Sequence, residues 1–290
     1  MGVRERRWLP YAYLAPALLL FGGFLLYPLA RSVQYSLYEW DGLGASTFVG
    51  LANYAELLTE DDLRAAFGHA LVLIGFFSLL PLAIGLLLAA VLNRGRVHGL
   101  ALFRTVVFLP QVIAMVVVAV AWRQIYAPNG TLNSALRAVG LDQLARTWLG
   151  DYTWTLPAVG IVGTWVQMGL VTVLLLAGMA RLPREQYEAA RLDGAGAVRE
   201  FFALTLPSIR AEIAVALTLT IVAALKTFDL VYVTTGGGPG NSTTVPAYEV
   251  FQRAFREGAV GSAAAIAVTL TALIFAINLV VNRVVDRGER

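Results

Sequence analysis

Cysteine is absent from the 290-residue chain, and histidine occurs only twice. Without cysteine there is no disulfide framework and no thiolate metal site, although the redox compartment stays open. His69 and His98 have no partner at metal-ligand spacing. We therefore expect His69 to be a polar packing residue and His98 a solvated loop residue. The chain also lacks HExxH, GxSxG and paired intramembrane aspartates, so it predicts no catalytic site and no resident metal.

Charged residues are scarce as well. They make up 14% of the chain, whereas soluble domains contain about 25%. The mean hydropathy is +0.68, which predicts a polytopic membrane protein with no soluble domain. A formal net charge of +3 is too small and too dispersed for a nucleic-acid partner.

Long runs free of Asp, Glu, Lys and Arg predict the membrane spans, because a spanning helix needs about 20 apolar residues. The first run is longer than a signal-peptide core of about 7–15 residues, so we expect a retained helix. The fifth begins as Ile213–Leu225 and reaches Thr235 if Lys226 and Asp229 are tolerated. Pro81 and Pro110 predict kinks within spans. The six runs are Tyr11–Ala30, Ala65–Asn93, Thr105–Trp122, Tyr152–Ala180, Ile213–Leu225 and Gly258–Asn282.

The basic residues predict the orientation of this all-α, six-span chain. Fourteen of the 22 lie in residues 1–10, 93–104, 181–212 and 283–290. The segments on the other side hold eight basic residues and eleven of the nineteen acidic ones. Both termini, and residues 181–212, are therefore predicted to be cytoplasmic.

The predicted outer segments have turn and helix patterns. Residues 31–66 suggest one or two short surface helices, and a turn at residues 128–130 precedes an amphipathic stretch. "GGGPGNS" (residues 236–242) lacks the Gly-Lys-Ser/Thr ending of a Walker A loop and is interpreted as a flexible turn. The helix that follows it is expected to pack Tyr248, Phe251 and Phe255. The amphipathic stretch should place four apolar residues on one side, namely Leu132, Leu136, Val139 and Leu144.

Polar residues inside the spans leave two interpretations open. In the fifth span Thr220, Ala224 and Thr227 recur at i, i+4 and i+7, and Gln167 lies in the fourth span beside Trp165. They line a solute path, or they allow close packing between helices. Lys226 and Asp229 either pair with each other or extend outward at the helix end.

The stretch "EAARLDGAGAVREFFALTLP" (residues 188–207) is unusually charged for this chain. Pro183 suits the first position of a helix and Gly194 the position after its end, and Glu188 is within reach of Arg184 and Arg191. A second helix, about residues 196–206, is expected to return Phe201, Phe202 and Leu206 to the membrane. Alanines and mixed charge do not suit a lipid-surface helix, which leaves a helix that docks on a partner protein and a plain solvated loop.

This stretch resembles the cytoplasmic loop of permease subunits of bacterial binding-protein-dependent ABC importers. The family motif is Glu-Ala-Ala, three residues, Gly, nine residues and Ile-x-Leu-Pro. The chain has Glu188-Ala189-Ala190, then Gly194, then Leu204-Thr205-Leu206-Pro207, with leucine in place of isoleucine. "RWLPYAYLAPALLLFGGFLLYPLARSVQYSLYEWD", "FVGLANYAELL" and "FDLVYVTTGGGPGNSTTVPAYEVFQRAF" are similar to the carbohydrate-uptake branch. Within that branch the pattern resembles the larger maltose-importer permease, or the first glycerol-3-phosphate importer permease.

The resemblance implies a single transmembrane permease domain over residues 1–290, with the type I ABC importer fold and a coupling segment at about 181–210. It implies a bacterial inner-membrane location and three protein partners besides lipid: a second homologous permease, two copies of a cytoplasmic ATPase, and an extracytoplasmic solute-binding protein. ATP and magnesium would be bound by the ATPase, because this chain has no nucleotide-binding motif. The solute would be a sugar, oligosaccharide or polyol. The candidate ATPase-coupling residues are Glu188, Ala189, Ala190, Asp193, Gly194, Leu206 and Pro207, and the candidate path residues are Gln167, Thr220 and Thr227.

Two other classes of protein stay open. A secondary transporter would require an ion-coupling carboxylate in mid-membrane, and the six predicted spans contain none. A membrane scaffold or receptor would require no solute path. A permease for glycerol-3-phosphate or its diesters is the alternative within the family.

Overall fold

The computed structural model describes residues 9–93 and 99–287, so His98 lies outside the described residues. This part of the chain is mainly helical, as predicted. Its α-helices, numbered in chain order, are α1 Leu9–Phe21, α2 Tyr27–Tyr35, α3 Ala52–Thr59, α4 Asp61–Ile74, α5 Leu80–Asn93, α6 Leu100–Val112, α7 Met115–Ile125, α8 Thr131–Ala138, α9 Thr155–Met179, α10 Arg184–Leu192, α11 Ala197–Glu200, α12 Leu206–Ser208, α13 Arg210–Leu225, α14 Asp229–Thr234, α15 Pro246–Gln252 and α16 Val260–Arg287.

Wider π-helical turns join or extend several of these helices, and a short 3₁₀ turn follows α8. The π-helical turns are Gly22–Leu26, Gly75–Leu79, Phe201–Thr205 and Arg253–Glu257, and the 3₁₀ turn is Asp142–Leu144. Two short strands, β1 Tyr38–Glu39 and β2 Thr47–Phe48, pair antiparallel. The sequence did not predict this strand pair, because two residues per strand are too few to produce a readable alternation.

Within the described residues, four helices are long and apolar enough to cross a membrane, and up to six if each of two bent helix pairs counts as one span. The four are Tyr13–Tyr35, Asp61–Leu92, Thr155–Met179 and Val260–Arg283. They coincide with the first, second, fourth and sixth predicted spans. The exact number of six stays a prediction.

Contacts divide the chain into two units. One contains the described residues before Asp61 together with Val250–Thr269, and the other contains Asp61–Glu249 and the described residues from Leu270 onward. The prediction of a single permease domain is not tested by this division.

Helix α9 is the central helix of the larger unit, packing against α5, α6 and α13. Most of its apolar stretch is buried. Small residues make this possible: a side chain at Gly160 would overlap the ring of Phe76, and one at Gly163 would overlap the ring of Phe77. Glycines thus let neighbouring helices approach closely where no hydrophobic effect between helices drives association.

The third predicted span is broken rather than kinked. Helices α6 and α7 meet at an angle of 97°, and Ile113 and Ala114 between them have extended ψ angles of 135° and 132°. Pro110 is buried in the last turn of α6. The prediction of a kink at Pro110 was therefore too weak, because the helix ends two residues after the proline and does not merely bend.

The fifth predicted span ends at Leu225. Lys226 is the residue after α13, and the chain becomes helical again only in α14 at Asp229. The helical segment before this span is bent relative to it, because Ala197–Ser208 meets α13 at 69°. The conditional extension towards Thr235 is therefore helical only in part, because the helix breaks after Leu225 and resumes in α14.

In the smaller unit, the predicted surface helices are partly confirmed: α3 forms at residues 52–59. Asn53 Nδ2 donates to the carbonyl oxygens of Ser36 and Tyr38 at 2.9 and 3.0 Å. Arg253 is buried, and its Nη2 donates to Glu60 Oε2 at 2.6 Å while its Nη1 lies 3.0 Å from Glu56 Oε1. Burial lowers the pKa of Arg253, but the bonds to these two carboxylates outweigh it and raise the pKa above the usual value.

In the larger unit, the predicted turn at residues 128–130 and the amphipathic stretch after it are confirmed as α8. Leu132 and Leu136 are half-buried, whereas Val139 and Leu144 are exposed. The predicted apolar side therefore ends with the helix. In the smaller unit, Phe251 is half-buried and Phe255 is exposed. Their ring centroids lie 5.6 Å apart, so Phe255 packs against Phe251 at the surface.

The residues that follow the glycine-rich turn are packed. Thr243 and Thr244 are buried, and the hydroxyl of Thr243 lies 2.8 Å from that of Thr235. The Nδ1 of His69, which is half-buried, lies 2.8 Å from the carbonyl oxygen of Thr244. The predicted turn is confirmed, and the residues that follow it are packed, while its flexibility stays a prediction. The prediction of His69 as a polar packing residue is confirmed.

Candidate functional site

The charged segment begins with helix α10. Pro183 precedes it with extended backbone angles, and the helix starts at Arg184, one residue later than predicted. At the other end Gly194 has φ +77°. The N–H of Gly194 donates to the carbonyl of Arg191, and that of Ala195 donates to the carbonyl of Ala190. This is the Schellman arrangement, which favours glycine because its φ is positive.

The motif residues of α10 lie mostly on its exposed side. Glu188, Ala189, Asp193 and Gly194 are exposed, whereas Ala190 is half-buried. Apart from its chain neighbours, none of the described residues has a heavy atom within 4 Å of where a side chain on Gly194 would begin. A carboxylate beside a low, uncrowded surface is thus available to a partner protein.

The second part of the segment leads to the membrane spans. It consists of α11, the π-helical turn Phe201–Thr205 and α12, as the predicted second helix required. Leu206 is half-buried and Pro207 exposed. Phe201 packs against a core cluster of the larger unit that includes Leu175, Met179 and Ile209, which anchors the segment.

Arg191 pairs with Glu200 and not primarily with Glu188. Its Nε donates to Glu200 Oε1 at 2.8 Å, and this hydrogen bond and charge raise the pKa of Arg191, with a smaller effect from Glu188. The predicted Arg191–Glu188 pair was therefore a minor interaction. A second contact joins the same two helices, because the hydroxyl groups of Tyr187 and Thr205 lie 2.9 Å apart.

Several apolar side chains of this segment are exposed. Leu192 is 89% exposed, and Val198 and Phe202 are also exposed. Phe202 borders an open depression of about 670 Å³ beside Gly196, Val198 and Ala203, and its return to the membrane stays a prediction. Exposed apolar groups next to fixed charges are typical of a protein-binding surface.

The three candidate path residues are all buried, and they differ in their hydrogen bonds. Thr220 Oγ1 donates to the carbonyl of Ala216 at 2.8 Å. The Oε1 of Gln167, a residue only 4% exposed, has no hydrogen-bond partner among the described residues. Thr227 lies in the break after α13, so the predicted i, i+4, i+7 stripe is interrupted before its last member.

Lys226 and Asp229 are both exposed. No ion pair joins them in the described part of the chain, where the ion pairs involve other residues. Their exposure favours the outward-extending interpretation. Within residues 9–93 and 99–287 there is also no group of three or more His, Asp or Glu side chains arranged to hold a metal ion.

Comparison with known proteins shows the family of the chain. The model of the family described as binding-protein-dependent transport system inner membrane component matches residues 81–290. The chain is 36% identical to the probable ABC transporter permease protein YurN of Bacillus subtilis, over 99% of both chains. It is 35% identical to the diacetylchitobiose uptake system permease protein NgcF of Streptomyces coelicolor, over 96% of this chain and 83% of the relative. It is 32% identical to the sn-glycerol-3-phosphate transport system permease protein UgpA of Yersinia pestis, over 98% and 96%.

The fold is also shared with a solved structure. A chain of a bacterial ABC transporter involved in the import of the acidic polysaccharide alginate matches with a TM-score of 0.82 and 25% identity, over 98% of this chain and 96% of that chain. The family match covers more than half of the sequence, and the described helices follow the fold of that permease along almost its whole length. The chain therefore belongs to the binding-protein-dependent transport system inner membrane components and has the type I ABC permease fold.

Proposed function

We propose that this chain is one permease half of an ATP-driven importer for a sugar, oligosaccharide or polyol-type solute. One observation carries the proposal. Helix α10 holds the family-like motif on an exposed side, with Glu188 and Ala189 available to a partner and Gly194 ending the helix. That is the form a helix needs if it is to enter a cleft of another protein.

In this function α10 is the coupling helix. Glu188 anchors it in the ATPase, Ala189 allows close approach, and Asp193 and Gly194 form its end. Leu206 and Pro207 lie where the second helix turns into α13, so displacement of α10 reorients the spans. ATP and magnesium act in the ATPase, and this chain contributes binding, positioning and movement.

The assembly has four kinds of component. A second homologous permease completes the path, two ATPase copies bind the cytoplasmic side, and a solute-binding protein delivers solute from outside. The distribution of basic residues supports cytoplasmic placement of both termini and of α10. The location is the inner membrane of a bacterium, with lipid around the spans.

The solute class rests on the relatives and on the polar residues of the spans. The diacetylchitobiose permease and the alginate transporter are named for carbohydrate solutes. Gln167 supports a carbohydrate route, because its buried Oε1 has no partner among the described residues and an amide can bond to sugar hydroxyls. Thr220 and Thr227 are the other proposed lining residues. On this proposal Thr220 can offer its oxygen to solute, while its proton goes to Ala216.

Glycerol-3-phosphate or a diester of it is the second candidate, because the Yersinia pestis relative carries that name. A phosphate would require cationic donors along the route. The three proposed lining residues are uncharged, which favours a neutral solute over this candidate.

The test is a mild-detergent purification of the tagged chain from its host, with mass spectrometry of all retained proteins. An ATPase, a second permease and a solute-binding protein are expected. Glu188→Lys is expected to lose the ATPase while the chain stays in the membrane. Asp142→Lys, an equal charge reversal at an exposed position of another loop, is the matched control and should retain it. Recovery of the parental chain alone in several detergents would contradict the proposal.

A further inference from the structure

Two side-chain contacts hold α10 against the helix that follows it. Arg191 Nε lies 2.8 Å from Glu200 Oε1, and the hydroxyls of Tyr187 and Thr205 lie 2.9 Å apart. We call these two contacts together the clasp. Tyr187 and Arg191 are four residues apart and therefore share one side of α10.

Their partners, Glu200 and Thr205, are five residues apart. An ordinary α-helix would place residues at this spacing on different sides. The π-helical turn Phe201–Thr205 lies between them. Its hydrogen bonds join residues five apart, as in the bond from Leu206 N–H to Phe201 O. The wider turn thus brings Glu200 and Thr205 to the same side, facing Tyr187 and Arg191.

In the ion pair of the clasp, only the carboxylate is buried. The side chain of Glu200 is 5% exposed, whereas that of Arg191 is 59% exposed. A surface ion pair contributes little to stability. Because Glu200 is buried, loss of its hydrogen bond with Arg191 costs more than loss of a surface contact, so the contact resists opening even though the arginine faces solvent.

We propose that the clasp makes α10 and residues 197–208 move as one rigid body, so that a force applied at α10 reaches the bend before α13. The inference rests on the proposed function, in which an ATPase applies that force. Without the clasp, the segment Asp193–Gly196 would act as a free hinge, and α10 would follow the ATPase while the spans stayed behind. Tyr187, Arg191, Glu200 and Thr205 are thus positioning residues for transport and lie outside the Glu-Ala-Ala motif itself.

The absence of cysteine makes a direct measurement possible. Spin labels are attached to Gln186→Cys and Ser208→Cys, two exposed positions on either side of the clasp. Double electron–electron resonance then measures the distance between them in the purified assembly in lipid nanodiscs. Samples without nucleotide and with magnesium-ATP and vanadate are compared for the parental chain, Glu200→Gln, Tyr187→Phe and the control Arg199→Gln, which changes an exposed neighbouring arginine.

In the parental chain and in Arg199→Gln we expect one narrow distance distribution that nucleotide does not shift. In Glu200→Gln the distribution should broaden and shift when nucleotide is added. The double variant Arg191→Gln/Glu200→Gln should be no worse than Glu200→Gln alone, because the two changes remove one shared contact. Tyr187→Phe, which removes a single hydroxyl, should broaden the distance distribution less. If Glu200→Gln does not fold, Tyr187→Phe tests whether the clasp holds the two helices together.

A parental distance that shifts with nucleotide would overturn the inference, and so would variants that keep the parental distribution in both samples. Absence of any ATPase from the purified assembly would instead contradict the proposed function. In that case the samples without nucleotide would still decide whether the clasp holds the two helices together.

Discussion

Gly169 lies so close to Val107 that a side chain on Gly169 would overlap the carbonyl oxygen of Val107. The contact joins α9 to α6, the first half of the broken third span. Because the obstacle is backbone, no rotamer change can relieve it. The packing of α6 against α9 therefore requires a residue without a side chain at position 169.

We predict that Gly169→Ala destabilises the chain by about 1–3 kcal/mol, the usual cost of overpacking a core. Gly68→Ala is the matched control, since no heavy atom lies near its side-chain position in α4. That change should be neutral, or stabilise by up to about 1 kcal/mol through helix propensity. Thermal unfolding in detergent measures both, and an unchanged unfolding temperature for Gly169→Ala would show that α6 is not seated against α9.

A second pair of glycines tests the end of the coupling helix. Gly194 has φ +77° and open space around it, whereas Gly196 has φ −78° and is equally uncrowded. Gly194→Ala should therefore cost about 1 kcal/mol of local stability, and Gly196→Ala should cost little. Hydrogen exchange of the backbone amides of α10 reports the difference. Equal exchange in the two variants would argue against the Schellman arrangement.

Gly194→Pro is a stronger change at the same position. Proline fixes φ near −65° and removes the N–H that donates to Arg191. We expect an inserted protein in which solute uptake is uncoupled from ATP hydrolysis. Uptake per ATP hydrolysed, measured in proteoliposomes, should fall, and parental coupling in this variant would show that the coupling role is misassigned.

The buried guanidinium of Arg253 should be the main electrostatic support of the smaller unit. Arg253→Gln leaves Glu56, Glu60 and Ser262 without the group that joins them. Loss of a buried partner of this kind costs about 3–5 kcal/mol, an upper limit here because both carboxylates are partly exposed. Arg256→Gln, at an exposed position, should change stability by less than about 0.5 kcal/mol. Limited proteolysis of residues 36–60 compares the two variants, and equal cleavage would contradict the prediction.

Asn133 organises the second predicted outer loop. Its Nδ2 donates to the carbonyl of Arg146 at 2.8 Å, and its Oδ1 accepts from Trp148 Nε1 at 2.9 Å. Asn133→Asp keeps the size but removes the donor and adds a buried charge, so it should destabilise the loop by about 1–3 kcal/mol. Asn129→Asp, in the exposed turn, is the control. Tryptophan fluorescence during thermal unfolding compares the two variants. Equal unfolding temperatures would refute the role of Asn133.

Substitution of Gln167 tests whether this residue lines a solute path or serves only in packing between helices. If its carbonyl faces solute, Gln167→Leu should lower uptake with little change in stability, because no internal hydrogen bond of Oε1 is lost. Thr172→Val is the comparison, since Thr172 is buried in the same helix and bonds to Met168. That change should affect stability more than uptake. Uptake unaffected by Gln167→Leu would leave packing as its role.

The features predicted correctly from sequence are those set by local signals. Apolar runs identify the four long spans, and the Pro183 and Gly194 signals bracket α10 to within one residue. Whether a segment is helical and where it caps depends on nearby residues, which a sequence displays directly.

The features that sequence reasoning missed depend on residues far apart or on backbone geometry. Arg191 has an acidic neighbour in Glu188, and nothing in the sequence signals that Glu200, nine residues away, lies at hydrogen-bond distance from it. The packing around the glycine-rich turn was not predicted, because it depends on Tyr248, which bonds to Gly236, and on His69 from another helix, which bonds to Thr244. The break at residues 113–114 has no glycine or proline at the break itself, so its only local signal was Pro110.

The helix Tyr13–Tyr35 has none of its most apolar stretch buried within the protein. At 1.5 Å per residue its length is about 34 Å, enough to cross the hydrocarbon layer without help from the rest of the chain. A nascent polypeptide released only to this point would already possess a complete membrane anchor. Biogenesis can thus begin with independent insertion of this helix, and the buried helix α9, which requires its neighbours, joins during later assembly in the bilayer.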